Sequence, residues 1–190
     1  MSCFCLLFAA LLLSPSLGLA EEKAIHPPKA LCVVCALKGG ETEFANIAAA
    51  YDGLDQTTKE CCESLIAIHD FYWSRRDINE KAFSQEERDA IPPVRHPLIR
   101  MHPETGRKAI YVGSHTREIE GWNIEKSRAL IDKLIDHCTQ EKFTYRHKWN
   151  VGDMVLWDNR SALHRGLAFD DQKVKRRLHR TTVAGTSPSL

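Results

Sequence analysis

The sequence predicts a mainly β fold with inserted helices, of the jelly-roll (double-stranded β-helix) kind. Two observations predict it. Short apolar or aromatic runs, bounded by Pro, Gly and Asn turns, recur between residues 31 and 183. Helical patterns are few and do not alternate regularly with these runs, as an α/β sheet would require. The 190 residues suffice for one domain with a real core. Hydrophobic content of 43% and charged content of 27% are ordinary for a globular chain. A net charge of +1 gives no global attraction to nucleic acid or anionic membrane.

Taken in order, residues 1–20 differ from everything after them. Residues 4–13 are wholly apolar, Ser14-Pro15-Ser16 interrupts, and Gly18-Leu19-Ala20 supplies a small-x-small site before Glu21. That is the form of a secretory signal peptide, too short to span a bilayer, although the positively charged start is missing. The competing reading is a misassigned start. Localisation follows accordingly: the secretory pathway if the leader is real, the cytoplasm otherwise.

Residues 31–37, between Pro27-Pro28 and Gly39-Gly40, read as a buried strand. The next expectation is a turn at residues 39–44 leading into an Ala-rich helix over 45–54. Residues 56–68 read as helical, passing into a strand-like Phe71-Tyr72-Trp73. Residues 77–90 read as a polar loop with a short helix begun at Ser84, where Glu87 completes a capping-box pattern. Two strands, 94–101 and 108–112, flank the turn His102-Pro103-Glu104-Thr105-Gly106. The clearest amphipathic helix covers 123–137, capped by Asn123, with Ile124, Leu130, Ile131, Leu134 and Ile135 near one face. Strand-like runs follow at 143–149, 154–157 and 176–183.

Beyond the leader the cysteines are Cys32, Cys35, Cys61, Cys62 and Cys138, an odd set for a disulfide framework. Cys32 and Cys35 form C-x-x-C, but inside a strand rather than at the helix start that lowers a thiol pKa. Small buried hydrophobes are their expected role; a secreted thiol protein is the rival reading. No second pair with zinc-ligand spacing exists.

His164 closes the run Trp157-Asp158-Asn159-Arg160-Ser161-Ala162-Leu163-His164, after an apolar strand. Arg176 and Arg180 return on the following strand, four residues apart and hence on one face. An imidazole near a pair of guanidinium forks can hold a metal beside an anionic co-substrate. The sequon Asn159-Arg160-Ser161 lies inside this run and is read as an accident of spelling.

Those two runs, with Gly39-Gly40-Glu41-Thr42 and Pro92-Pro93-Val94-Arg95-His96-Pro97-Leu98, resemble the taurine/2,4-dichlorophenoxyacetate dioxygenase (TauD/TfdA) family. These are Fe(II) enzymes that use 2-oxoglutarate and O₂. The resemblance covers nearly everything from Pro27 to Gly185, so the domain is placed at residues 24–186. It implies that His164 is an iron ligand, that Thr42 and Arg176 hold 2-oxoglutarate, and that Arg180 faces substrate or co-substrate. The implied reaction decarboxylates 2-oxoglutarate to succinate and hydroxylates a small organic substrate, often an anion.

The family's other two iron ligands form a His-x-Asp/Glu motif. The corresponding stretch here, about residues 14–22, has neither His nor Asp. His26 lies too close to Pro27-Pro28, and Glu21-Glu22 have no histidine two residues before them. The resemblance thus implies a domain incomplete at its N-terminus, with no catalytic acid or base to name. His102-Pro103-Glu104, the one His-x-acid triplet, falls in a hairpin turn and is rejected as a substitute. A catalytic iron site is therefore expected to be very weak or absent. The rival reading is an inactive relative retaining only an anion or 2-oxoglutarate pocket.

Overall fold

In the computed structural model, residues 29–35, 40–76, 83–170, 172 and 177–183 are described. Two three-stranded antiparallel sheets frame the site. One has the order β11-β1-β9, from Arg177–Val183 (β11), Lys29–Cys35 (β1) and Met154–Asp158 (β9). The other has the order β10-β2-β8, from Ala162–Gly166 (β10), Thr42–Asn46 (β2) and Thr144–His147 (β8). The chain passes from one sheet to the other through the corner at residues 159–161, so β9 and β10 are neighbours in sequence but not in pairing.

A third sheet, β4-β3-β7, joins Ile66–His69 (β3), Val94–Pro97 (β4) and Thr116–Ile119 (β7). Ile99–Met101 (β5) and Lys108–Ile110 (β6) form a hairpin closed by Gly106, whose φ of 67° suits a residue without Cβ. Helices Ile47–Asp52 (α1), Gln56–Glu63 (α2), Gln85–Ala90 (α3) and Ile124–Cys138 (α4) complete the described elements.

Each helix begins where its sequence supplies a cap. Asn46, Asp55 and Asn123 accept from the backbone N–H three residues on, at 2.8–2.9 Å. Ser84 and Glu87 form the expected reciprocal capping box. On α4 the fully buried positions are Ser127, Ile131, Leu134 and Cys138, one stripe at spacings of four, three and four. That stripe meets Ala45, Ile47, Leu98, Ile110, Ile119 and Leu163 in the main core.

Several boundaries differ from the sequence reading. Residues 42–46 are strand β2 rather than a turn into a helix, and α1 starts only at Ile47. β2 is the centre strand of its sheet, and its ladder bonds on both edges outweigh the local Ala-rich helix preference. The helix expected over 56–68 stops at Glu63, because Ile66–His69 pairs with both β4 and β7. Phe71-Tyr72-Trp73 is a turn passing into a 3₁₀ helix, drawn in by Asp70, which accepts from the N–H of Tyr72 and Trp73. The expected strand 94–101 is two, because Pro97 has no N–H and the chain changes partners beyond it. β7 went unforeseen, since Thr-Arg-Glu-Ile shows no apolar alternation; Arg117 pairs there with Asp70 and Glu118.

Candidate functional site

β2 and β10 present two different faces. Opposed residues in an antiparallel pair share a face. Phe44 lies opposite His164, and Thr42 opposite both Gly166 and His147. In the other sheet Val155 and Arg180 both register with Cys32, and Trp157 with Ala30, so Val155, Trp157 and Arg180 share a face. Trp149 packs against Val155, Trp157 and Leu178, bringing these two faces toward one another.

His164 occupies the centre of β10, not the end of an apolar strand as its sequence neighbours suggest. Its ring lies 5.0 Å from that of Trp157 and 6.2 Å from that of Phe44, measured between centroids. Nδ1 is buried and has no hydrogen-bond partner. Burial, with the charge of Arg180 adding to it, pushes the imidazole pKa down to about 4. At neutral pH it is therefore an uncharged base with an available ring nitrogen, the form that binds metal. Arg180 lies on the sheet face that carries Trp157, and Trp157 packs on His164.

Thr42 is buried, and its Oγ1 accepts from Trp149 Nε1 at 2.9 Å. Trp149 is held in turn by the edge of His147, at 4.3 Å between centroids, and His147 Nε2 lies 3.1 Å from Asp153. Asp153 also accepts from Asn150 N–H at 2.8 Å, which closes the turn carrying Gly152 at a φ of 91°. A chain of contacts thus runs from the turn at residues 150–153 to the Thr42 hydroxyl. Arg176, the fourth residue singled out from sequence, lies outside the described residues.

The sequence reading missed Phe44, Trp149 and Trp157 as walls of this interior. The signal was present: Phe44 alternates with Ala45 on β2, and Trp157 with Leu156 on β9. It also missed the bracing of the corner. Asp158 accepts from Arg160 N and Nε, both at 2.9 Å, and from Arg160 NH2 at 2.6 Å. Arg160 NH2 reaches Glu104 at 2.7 Å, and His102 Nε2 lies 3.2 Å from Asp158. Burial opposes ionisation of Asp158, but the Arg160 hydrogen bonds prevail and hold its pKa at about 2. Asn159, of the formal sequon, is 3% exposed and accepts from Trp157 Nε1 at 2.8 Å, which leaves no room for a glycan.

Among the described residues one group of three has metal-ligand atoms close together: His102, Glu104 and Asp158, within 4.8 Å of one another. Arg160 already forks between its two carboxylates, so its charge is matched without an ion. The group lies at the β5–β6 turn and the corner, in keeping with rejection of His102-Pro103-Glu104 as an iron motif. The two buried cysteines offer no reactive centre either. Burial raises Cys62 to about 11 and Cys138 to about 12. The side chains of Cys32 and Cys35 lie outside the described residues.

Comparison with known proteins places this geometry in context. Residues 26–182 match the family described as Taurine catabolism dioxygenase TauD, TfdA family. The chain is 43% identical over 153 residues to an alpha-ketoglutarate-dependent 2,4-dichlorophenoxyacetate dioxygenase from Burkholderia sp. (strain RASC), covering 80% of this chain and 51% of that one. It is 37% identical over 158 residues to a (S)-phenoxypropionate/alpha-ketoglutarate-dioxygenase from Sphingobium herbicidovorans, covering 80% and 54%. The crystal structure of AAD-2 with Mn(II) and N-oxalylglycine superposes with a TM-score of 0.80 at 38% identity, covering 86% of this chain and 65% of that one. The chain thus spans about half the length of the curated relatives it matches.

Proposed function

Because the chain belongs to the TauD/TfdA family of Fe(II)- and 2-oxoglutarate-dependent dioxygenases, we propose that the interior between its two sheets receives 2-oxoglutarate. One observation supports this reading: buried His164, unpartnered at Nδ1, and Phe44 lie ring to ring with Trp157, on the sheet face that also carries Arg180. Thr42 and Arg176 hold the co-substrate, and Arg180 faces its carboxylate or that of a small anionic substrate. A dianion suits these partners because a guanidinium fork meets a carboxylate with two parallel hydrogen bonds. Trp157, Phe44 and Trp149 keep water from the faces of the bound acid.

In this family iron(II) supplies the centre at which O₂ is activated. His164 fits one position of such a centre, being neutral, buried and unpartnered at Nδ1. The other two ligands do not assemble beside it among the described residues, and the one other candidate cluster is matched by Arg160. The described residues therefore do not fit a complete iron centre, and no step is derived through it. The second reading is a protein that binds 2-oxoglutarate without turning it over.

Calorimetry separates the two. Binding of 2-oxoglutarate that Fe(II) leaves unchanged supports the pocket without the metal. A metal-to-ligand charge-transfer band at micromolar iron supports the dioxygenase and overturns the expectation of a missing centre. No binding under either condition, or binding unaffected by Arg180→Met, overturns the pocket itself.

A further inference from the structure

A threonine hydroxyl can donate or accept, and its neighbours decide which it does toward a ligand. An indole nitrogen only donates, so in the 2.9 Å contact Trp149 Nε1 is the donor and Thr42 Oγ1 the acceptor. Both residues are buried, so water does not compete for this bond. With a lone pair of Oγ1 engaged by that N–H, the hydroxyl proton is turned away from the indole. The indole itself is firmly seated: Val155, Trp157 and Leu178 pack on it, and His147, braced by Asp153, meets it edge-on. Directly across from Thr42 on β10 stands Gly166, where an added Cβ would meet no described atom within 4 Å. Opposed residues share a face, so the space beside the Thr42 side chain is open.

We propose that Trp149 is a positioning residue, whose indole N–H turns the Thr42 hydroxyl so that it donates to a carboxylate oxygen of 2-oxoglutarate. The proposal rests on the reading of this interior as a 2-oxoglutarate site and adds what fixes the polarity of one contact. An ionised carboxylate only accepts, so it complements a hydroxyl held as a donor. A hydrogen bond to a charged acceptor is also shorter and stronger than a neutral one. A ligand presenting an ammonium group at the same place would meet a proton instead of a lone pair. Threonine is stiff at χ1, and the indole bond fixes the remaining freedom of its O–H. Phenylalanine at 149 would keep a ring against Val155 and Trp157 but release the hydroxyl to other orientations. Trp149 thus acts through Thr42 and need not touch the ligand.

A double-mutant cycle tests this, with 2-oxoglutarate titrated calorimetrically into the full chain and into Thr42→Val, Trp149→Phe and the double variant. Thr42→Val should weaken binding roughly tenfold, and Trp149→Phe roughly fivefold. The double variant should bind within about twofold of Thr42→Val alone, since the indole then has no hydroxyl to orient. Effects that multiply make Trp149 an independent wall and overturn the proposal, as does wild-type affinity in Trp149→Phe. Parent chain that takes up no 2-oxoglutarate overturns the co-substrate reading, and this proposal with it. A second measurement needs no ligand and serves if Trp149→Phe fails to fold. In chain labelled with ¹⁵N-tryptophan, Thr42→Val should move one of the four indole N–H resonances upfield. Thr42→Ser, which keeps the hydroxyl, should leave that resonance in place and hold affinity within about threefold. Four resonances unmoved by Thr42→Val would show that the indole and the hydroxyl are not bonded in solution, which overturns the proposal.

Discussion

The two faces of strands β2 and β10 are made from the same ten residues and behave in opposite ways. On one face Ala45 and Leu163 are fully buried and belong to the dry core with Ile131, Leu134 and Ile110. On the other, Thr42 and His164 are nearly as buried but polar, and His164 Nδ1 has no partner. A buried Leu contributes about 1.5–3 kcal/mol to stability. An unpartnered buried polar atom costs about 1–3 kcal/mol. One face stabilises the fold, while the other carries a buried, unpartnered nitrogen whose cost that stability offsets.

Acid should break the contrast most severely. Burial drives His164 and His96 down to about 4, and His69 well below its ordinary value, with the charges of its neighbours adding to the effect. Their folded-state pKa values lie below the unfolded value, so the unfolded chain binds more protons in acid. Stability is therefore full above about pH 6.5 and falls as pH drops toward about 4, by up to about 3 kcal/mol each for His164 and His96, and His69 acts in the same direction. Urea unfolding followed across this range measures it. Stability rising on acidification would show that these imidazoles are not held neutral.

Leu163→Ala tests the dry face, with an expected loss of about 3 kcal/mol in the same unfolding measurement. Affinity for 2-oxoglutarate should change little wherever the variant remains folded. A smaller effect is expected at the end of that face. There Glu43, 6% exposed, accepts from Arg146 at 3.0 Å and Arg165 at 2.8 Å. Burial opposes its ionisation, but the two arginines prevail and lower its pKa. Glu43→Ala leaves Arg165 without this partner and should cost about 2 kcal/mol, moderated because Arg146 is more than half exposed.

The smallest change in stability belongs to the polar face. His164→Leu removes an unpartnered nitrogen, so unfolding free energy at neutral pH should rise by about 1 kcal/mol. The acid slope should become shallower, and any response of the visible spectrum to iron and 2-oxoglutarate should disappear. A loss in stability as large as that of Leu163→Ala would make His164 an ordinary core residue and end the distinction between the faces.

Sequence by itself determined the helix caps, the amphipathic stripe of α4, the hairpin turn at Gly106 and the family to which the chain belongs. These rest on short-range rules or on residue identity, so no distant partner is needed to read them. Sequence also singled out Thr42, His164 and Arg180, through the runs that contain them. Only tertiary structure decided which strand each sits on and what it meets. β2 prevailed over an Ala-rich helix preference because two neighbours offered it ladder bonds. Phe44 and Trp157 came to pack beside His164 because the corner at residues 159–161 carries the chain from one sheet to the other. Which face of a strand turns inward is fixed by the sheet laid against it, and that sheet comes from distant parts of the chain.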